Sequence, residues 1–311
     1  MLAEMTIGPW HWAGFVFCIL VFLAVDLGLF HREAHQVPFK EGLFWSGVWF
    51  TVAMLFGFAL LKFRGREDAA QFVTGYIIEL SLSMDNVFVI ALIFAYFRIP
   101  AQYQHRVLFW GILGALLMRG LLIGLGAALV ARFHAILYVF GAFLLVTGVR
   151  MMFGGDEGVH PEKNPMIRLA RKFFPVSAEF DGHKFQTLLN GRRALTPLAL
   201  VLLTVETTDL IFALDSIPAI FAVTQDTFIV FTSNVFAILG LRSLYFVLAG
   251  AIRYFRFLKV GLSLVLIFIG VKMLVVKWVS ISTTTSLGVV AGIILISIAT
   301  SAFISKHPPR T

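Results

Sequence analysis

The sequence predicts an all-α, polytopic membrane protein with about nine transmembrane helices. Hydrophobic residues make up 59% of the 311 positions and charged residues only 14%, whereas a soluble domain has about 25% charged residues. Nine apolar stretches also reach the roughly 20 residues that a helix needs to cross a bilayer. We place them at 11–30, 43–62, 72–97, 107–130, 135–153, 196–222, 228–250, 257–277 and 283–304.

Basic residues are distributed unequally between the two sides of these spans, which predicts the orientation of the chain. Sixteen lie in the loops on one side, or nine without the long loop, and five lie on the other. Because cytoplasmic loops carry the excess of Lys and Arg, we expect the N-terminus outside and the C-terminus in the cytoplasm. The net charge of +8 then reflects these loops and not a nucleic-acid partner.

The spans divide the chain into five segments. We assign the first two spans to 1–70, a three-helix repeat to 71–153, a cytoplasmic surface loop with one amphipathic helix to 154–194, a second three-helix repeat to 195–278, and the last span with a cytoplasmic tail to 279–311.

Three short patterns in spans three to five recur, in the same order, in spans six to eight. They pair Ser83–Phe88 with Thr207–Phe212, Ile112–Gly114 with Ile238–Gly240, and Thr147–Met151 with Ile269–Met273, at offsets of 124, 126 and 122 residues. Repeats three helices apart cross the membrane in opposite directions, so they predict an inverted repeat (helices 3–5 and 6–8). In transporters of that architecture, the substrate site lies near the midplane between the halves. The alternative is chance similarity between apolar helices.

Five carboxylates lie within two of the predicted spans. The third span contains Glu79 and Asp85, and the sixth contains Glu206, Asp209 and Asp215. An ionisable side chain at that depth costs at least a few kcal/mol, so it is expected to face a polar interior and a partner.

Two arginines near the middle of neighbouring spans, Arg119 and Arg242, are the expected charge partners of these acids. Five negative and two positive charges leave a formal excess of three negative charges. Hard oxygen anions in excess favour a divalent cation or protons, with Asn86 and Ser216 as further oxygen ligands. The alternative is a structural network in which the arginines neutralise two acids and the rest are protonated.

Helical geometry limits how many of the acids can meet. At about 100° per residue, Glu206 and Asp209 share a face, but Asp215 lies about 180° from Glu206 on an unbroken helix. Pro218 removes a backbone hydrogen bond, so it predicts a local unwinding at Asp215–Ser216 that would expose carbonyl ligands.

The ligand set also indicates which ion would bind. The only cysteine is Cys18, and no histidine lies inside a predicted span near the acids. Oxygen ligands favour Mn²⁺, Ca²⁺ or Mg²⁺ over softer metals.

The acidic segments Gly75–Phe88 and Glu206–Phe221 resemble the signature blocks of the TerC family of bacterial membrane proteins, most closely its alkali-inducible Alx branch. The stretches Asp215–Thr224 and Phe228–Arg242 extend the similarity, which covers nearly the whole chain. The resemblance implies a nine-helix protein of the bacterial cytoplasmic membrane that is linked to manganese homeostasis, Mn²⁺ export and the alkaline pH response. It also implies that the five carboxylates carry the metal route.

From the residues and this resemblance we expect a transporter and not an enzyme, with Mn²⁺ as substrate, no tightly bound cofactor, and protons as a coupling ion. One competitor is a non-transporting membrane partner that uses loop 154–194 to assist metal loading of exported proteins, or tellurium and stress resistance. Another is a membrane enzyme or redox modulator, which a single cysteine makes the weakest.

Overall fold

The structure is a computed structural model that describes residues 8–30, 39–133, 135–153, 164–177, 179–189, 191–251, 258–279 and 281–306. This part of the chain contains ten α-helices and one two-stranded sheet. The elements are α1 (Pro9–Phe30), α2 (Phe39–Phe63), α3 (Arg66–Tyr96), α4 (Ala101–Arg132), α5 (Ile136–Phe153), α6 (Pro165–Phe173), β1 (Gln186–Leu189), β2 (Arg192–Leu195), α7 (Pro197–Phe221), α8 (Thr227–Ala251), α9 (Leu258–Val275) and α10 (Thr283–Lys306).

Each of the nine predicted spans coincides with one long helix, and the largest shifts are at the starts of α3 and α4. These helices begin at Arg66 and Ala101, six residues before the predicted 72 and 107. Seven helices among the described residues are long and apolar enough to cross a membrane. The all-α polytopic fold is therefore confirmed, whereas the exact number of crossings stays a prediction.

Helix α7 is continuous from Pro197 to Phe221, so the predicted unwinding at Asp215–Ser216 was wrong. Pro218 lies in the last turn of the helix, where the loss of one backbone donor has little effect on the turns before it. The 180° separation of Glu206 and Asp215 around the helix axis therefore holds in the structure.

The most enclosed span is α8, which packs against α2, α3 and α4. Helix α1 joins this core through aromatic rings: the Phe15 ring lies 5.8 Å from that of Phe228 and 5.9 Å from that of Phe236. Such edge-to-face pairs add roughly 0.5–1.5 kcal/mol to the burial of their area. The first two helices are thus packed on α8, which belongs to the proposed second repeat.

Helices α3 and α7 run antiparallel. At the start of α3, Arg64 pairs with Asp226, which follows α7, at 2.7 Å. At the other end of the molecule, the β1–β2 hairpin precedes α7. Phe185, the residue before β1, packs against Trp110 of α4. We call this second end the hairpin end. Opposite directions for α3 and α7 are what an inverted repeat requires.

The helix contacts follow the same pseudo-symmetry. Exchange of α3, α4 and α5 with α7, α8 and α9 maps the contact of α3 with α8 onto that of α7 with α4, and maps the contact of α5 with α9 onto itself. At the α5–α9 crossing, a Cβ on Gly148 would lie 2.9 Å from the carbonyl oxygen of Ser263, and one on Gly270 would lie 2.8 Å from that of Gly141. Gly148 is equivalent to Gly270, and Gly141 to Ser263, because the members of each pair are 122 positions apart. These reciprocal contacts support the repeat, which stays a prediction.

The segment predicted as a surface loop with one amphipathic helix contains that helix, α6, and also a β-hairpin that the sequence analysis missed. β1 pairs antiparallel with β2, with Leu189 opposite Arg192. Gly191 in the turn has a φ of +75°, a left-handed conformation that favours glycine. An Asn-Gly pair between two short strands is the sequence signal that could have revealed the hairpin.

We predict that Gly270→Ala destabilises the α5–α9 crossing, because the new Cβ would lie 2.7 Å from the backbone nitrogen of Leu145. Overpacking of this kind costs about 1–3 kcal/mol. Thermal unfolding of the purified protein in detergent measures the loss. Gly124→Ala in α4 is the matched control, since nothing lies within 4 Å of its Cβ position. Equal melting temperatures for the two variants would contradict the close crossing.

Candidate intramembrane cation site

Arg119 of α4 lies at the centre of the intramembrane polar cluster and is only 1% exposed. Its guanidinium forms an ion pair with Glu79 of α3. It also donates two hydrogen bonds to Asp209 of α7, from Nη2 to Oδ1 at 2.8 Å and from Nε to Oδ2 at 3.2 Å. One buried arginine therefore joins the first helices of the two proposed repeats.

Two further side chains complete the cluster because of their helical spacing. Asn86 follows Glu79 by seven residues and Ser216 follows Asp209 by seven, so each pair lies on one face of its helix. The Asn86 amide donates to Asp209 Oδ1 at 2.9 Å, and Arg119 Nη1 donates to Ser216 Oγ at 3.4 Å. We call Glu79, Asn86, Arg119, Asp209 and Ser216 the Arg119 cluster.

The structure separates the other three acids from this cluster. The Asp215 side chain lies close to that of Thr147 of α5. Asp85 lies within the electrostatic field of Lys259 of α9. Asp85 and Asp215 are therefore directed towards α9 and α5, which are the third helices of the two proposed repeats.

Glu206 lies against α4, one turn before Asp209 on α7. A Cβ on Gly114 would collide with the Glu206 carboxylate, so glycine is what allows α4 to approach this acid. Among the described residues, Glu206 forms no ion pair, and it experiences the like charge of Asp209.

The predicted metal ligands are therefore divided into one assembled cluster and three flanking acids. Within the part of the chain that the structure describes, no three His, Cys, Asp or Glu side chains are close enough to hold a metal ion. Arg119 lies between Glu79 and Asp209, where a cation would otherwise compensate both charges. In this conformation the arginine is the counter-ion of the cluster.

Several buried oxygen atoms on α3 are left without a hydrogen-bond partner. They include Glu79 Oε2, Ser83 Oγ and Asn86 Oδ1, and the side chains of all three residues are at most 3% exposed. A buried acceptor without a donor costs about 1–3 kcal/mol. These oxygens could serve as ligands for a hard cation.

Asn234 of α8 is a buried polar residue that sequence reasoning missed. It is fully buried, and neither its amide nitrogen nor its amide oxygen has a hydrogen-bond partner in the structure. An asparagine in the middle of the apolar stretch 228–250 was the signal that could have drawn attention to it.

Arg242, the second predicted charge partner, lies on α8 with its Nη1 atom 3.4 Å from His105 Nε2 of α4. It is 9% exposed. Tyr245, one turn further along α8, donates to Gln104 Oε1 at 2.9 Å. Arg242 therefore belongs to the contact between α8 and the start of α4, close to the hairpin end.

Comparison with known proteins gives a consistent result over nearly the whole chain. A membrane protein of Myxococcus xanthus, described as uncharacterized, is 54% identical over 97% of this chain and 95% of its own length. A protein of Escherichia coli K12 with the provisional name membrane-bound redox modulator Alx is 46% identical over 96% and 97%. An uncharacterized membrane protein of Rickettsia bellii is 38% identical over 93% and 96%. No solved structure matches the chain.

The family model described as "Integral membrane protein TerC family" matches residues 64–308. This range includes both acidic helices, Arg119, and the helices that pack around them. The chain therefore belongs to the TerC family of integral membrane proteins.

Proposed function

We propose that this protein is a divalent-cation transporter of the bacterial cytoplasmic membrane and that it exports Mn²⁺. The observation that carries the proposal is the charge of the two acidic helices. Five carboxylates lie within the predicted membrane spans of α3 and α7, and one buried guanidinium, that of Arg119, forms ion pairs with two of them. A permanently paired structural network would tend towards neutrality, whereas this one has an excess of hard oxygen anions.

Arg119 gives the site a resident counter-charge. A divalent cation that binds between Glu79 and Asp209 would bring two positive charges to the position that the guanidinium occupies, so the arginine must move away. The same movement would release the Ser216 hydroxyl and the second oxygen of Asp209 as ligands. Exchange between the arginine and the metal ion would thus give the site two states, as alternating access requires.

The flanking acids supply a route to and from this cluster. Glu206 lies one turn of α7 before Asp209, and Asp85 and Asp215 lie on the faces of α3 and α7 that turn towards α9 and α5. Several carboxylates in a low-dielectric interior cannot all remain charged after the ion has left. Protons that bind in its place and leave when it returns would couple metal export to proton entry.

The charge of the loops indicates the orientation of the protein, and export then defines the end at which the ion enters. The hairpin end carries the loops with the larger number of Lys and Arg residues, and such loops are cytoplasmic. We therefore expect Mn²⁺ to enter from the hairpin end and to leave at the end where Arg64 pairs with Asp226.

The name of the Alx relatives suggests redox modulation as a second function. The sequence has one cysteine, Cys18, on α1. A single cysteine cannot form an intramolecular disulfide pair. We therefore favour transport, and we keep the non-transporting partner role as the competitor to be tested.

We predict that Asp215→Asn reduces saturable Mn²⁺ uptake into inside-out proteoliposomes by roughly tenfold or more, by analogy with the loss of metal affinity when a ligand's partner is removed. Asp85→Asn should have the same effect. Uptake of Mn²⁺, Ca²⁺ and Mg²⁺ is compared with and without a pH gradient, which identifies both the ion and proton coupling.

The matched control is Glu179→Gln, which neutralises an exposed acid in the segment before the hairpin. It should transport Mn²⁺ like the parent protein. Full activity of both Asp85→Asn and Asp215→Asn would exclude these acids from the route, and an absence of flux in the folded parent protein would favour the partner role.

We predict that Arg119→Met lowers the free energy of unfolding by about 3–5 kcal/mol, because it leaves Glu79 and Asp209 as uncompensated buried charges. Thermal unfolding in detergent measures this change. The triple variant Arg119→Met, Glu79→Gln, Asp209→Asn should regain most of the stability but not transport Mn²⁺. Arg132→Met, at an exposed position in the last turn of α4, is the control. A stable, active Arg119→Met protein would contradict the role of the guanidinium.

An experiment in cells separates transport from the non-transporting partner role. A strain that lacks the protein would be complemented with Asp215→Asn, and both Mn²⁺ tolerance and the metal content of exported enzymes would be measured. If transport is the function, both readouts should fall together. Normal metal loading with lost Mn²⁺ tolerance would show that the partner role is separate.

A further inference from the structure

The segment between α5 and α7 presents exposed apolar and basic side chains at the hairpin end, and the proposed cation route uses none of them. Met166, Leu169 and Phe173 recur on one face of α6, and their exposed fractions are 44%, 49% and 68%. Arg171, also exposed, lies on the opposite face, and the exposed Lys172 lies about 90° around the helix from the apolar face. The helix is therefore amphipathic, with its apolar face uncovered.

Helix α6 is fixed on the rest of the protein, so this exposure is a property of the folded chain. The Asn164 side chain accepts a hydrogen bond from the Met166 amide at 2.9 Å, and Pro165 occupies the first turn, as at many helix starts. Ile167 is only 2% exposed, and α6 contacts α7. One residue of the helix thus anchors it, while the apolar face remains available.

The tip of the hairpin has the same combination of side chains. Leu188 is 72% exposed and pairs with Arg193, and Leu189 is 41% exposed and pairs with Arg192. Residues directly opposite in an antiparallel pair project from the same face of the sheet. Each face of the tip therefore presents a leucine beside an arginine.

Both elements contact α7, and the hairpin lies directly before it. β2 leads directly into α7, which begins at Pro197 and is one of the candidate membrane spans. The Leu195 amide donates to the Pro175 carbonyl at 2.8 Å, and the Thr196 amide donates to the Phe185 carbonyl at 3.0 Å. These bonds hold the hairpin at the end of a candidate membrane span, so we expect it at the depth of the lipid headgroups.

The neighbouring acid does not neutralise these basic groups. Asp181 accepts hydrogen bonds from Thr187 at 2.8 Å and from Lys184, and these bonds hold the pKa of the Asp181 carboxyl below its ordinary value. The Asp181 charge is therefore compensated by groups of its own loop. Arg171, Lys172, Arg192 and Arg193 are exposed basic residues at this surface.

We propose that α6 and the hairpin tip bind anionic phospholipids: the apolar side chains insert among the acyl chains, and the four basic side chains contact the headgroups. We call this the α6–hairpin surface. Short helices with an apolar face and a basic face lie in the plane of the membrane interface, and each basic group near an anionic surface adds to the attraction. The proposal is independent of the transported ion.

The single native cysteine makes a direct test practical. In a Cys18→Ala background, Phe173→Cys or Glu179→Cys is labelled with an environment-sensitive fluorophore, and the full chain is reconstituted in vesicles. The vesicles contain phosphatidylcholine alone or a mixture with phosphatidylglycerol. Quenching by spin-labelled lipids and by aqueous iodide then shows whether each label lies in lipid or in water.

With phosphatidylglycerol, we expect the label at position 173 to be quenched by the lipids and protected from iodide. The protection should fall in phosphatidylcholine alone, at high salt, and when all four basic residues are replaced by glutamine, and lysine at the three arginine positions should preserve it. The label at position 179 should stay accessible to iodide in every case. Thermal unfolding confirms that the charge variant is folded.

Three results would overturn the proposal. Equal iodide access at positions 173 and 179 in phosphatidylglycerol vesicles would show that α6 does not enter the bilayer. Equal protection with and without phosphatidylglycerol would exclude headgroup charge as the attraction. Protection in native membranes but not in vesicles of the purified protein would assign the surface to a protein partner.

Discussion

The contact of the Arg119 guanidinium with Glu79 and Asp209 is the interaction on which the arrangement of the membrane core depends. It joins α3, α4 and α7 at a depth where water cannot compensate either charge. The carboxylates require a cation, and the arginine requires both carboxylates, so the rotation of each helix about its own axis is restricted. A site built in this way is stabilised by its own cation, which a metal ion would replace under the proposed function.

Helix rotation decides which polar groups meet. Because Glu79 and Asn86 on α3, and Asp209 and Ser216 on α7, are seven residues apart, each pair faces Arg119. Asp85 directly precedes Asn86, and Asp215 directly precedes Ser216. Because successive residues of a helix are about 100° apart, both acids point away from the cluster. The result is a centre in which one guanidinium pairs with two carboxylates and three further carboxylates lie on the flanks, which the proposed transport would use as successive binding positions.

The two ends of the protein differ in chemistry. At the end opposite the hairpin, Arg64 before α3 forms an ion pair with Asp226 before α8. Asp226 also accepts a hydrogen bond from the Phe228 amide at 2.8 Å. The hairpin end instead carries α6 and the hairpin tip, with leucine, phenylalanine and arginine side chains exposed. An ion pair between helices at one end, and exposed apolar and basic side chains at the other, distinguish the two ends of the protein.

The sequence by itself determined the fold class, the approximate limits of the helices, and the five intramembrane acids. It could do so because the bilayer imposes length and polarity on each segment separately. It also showed that the acids of α7 could not all meet. Only the tertiary structure decided that α7 stays continuous beyond Pro218, that Arg119 and not Arg242 joins Glu79 to Asp209, and that Asn234 is buried without a partner. These features depend on how neighbouring helices rotate and approach one another, and that is set by contacts between residues far apart in the chain.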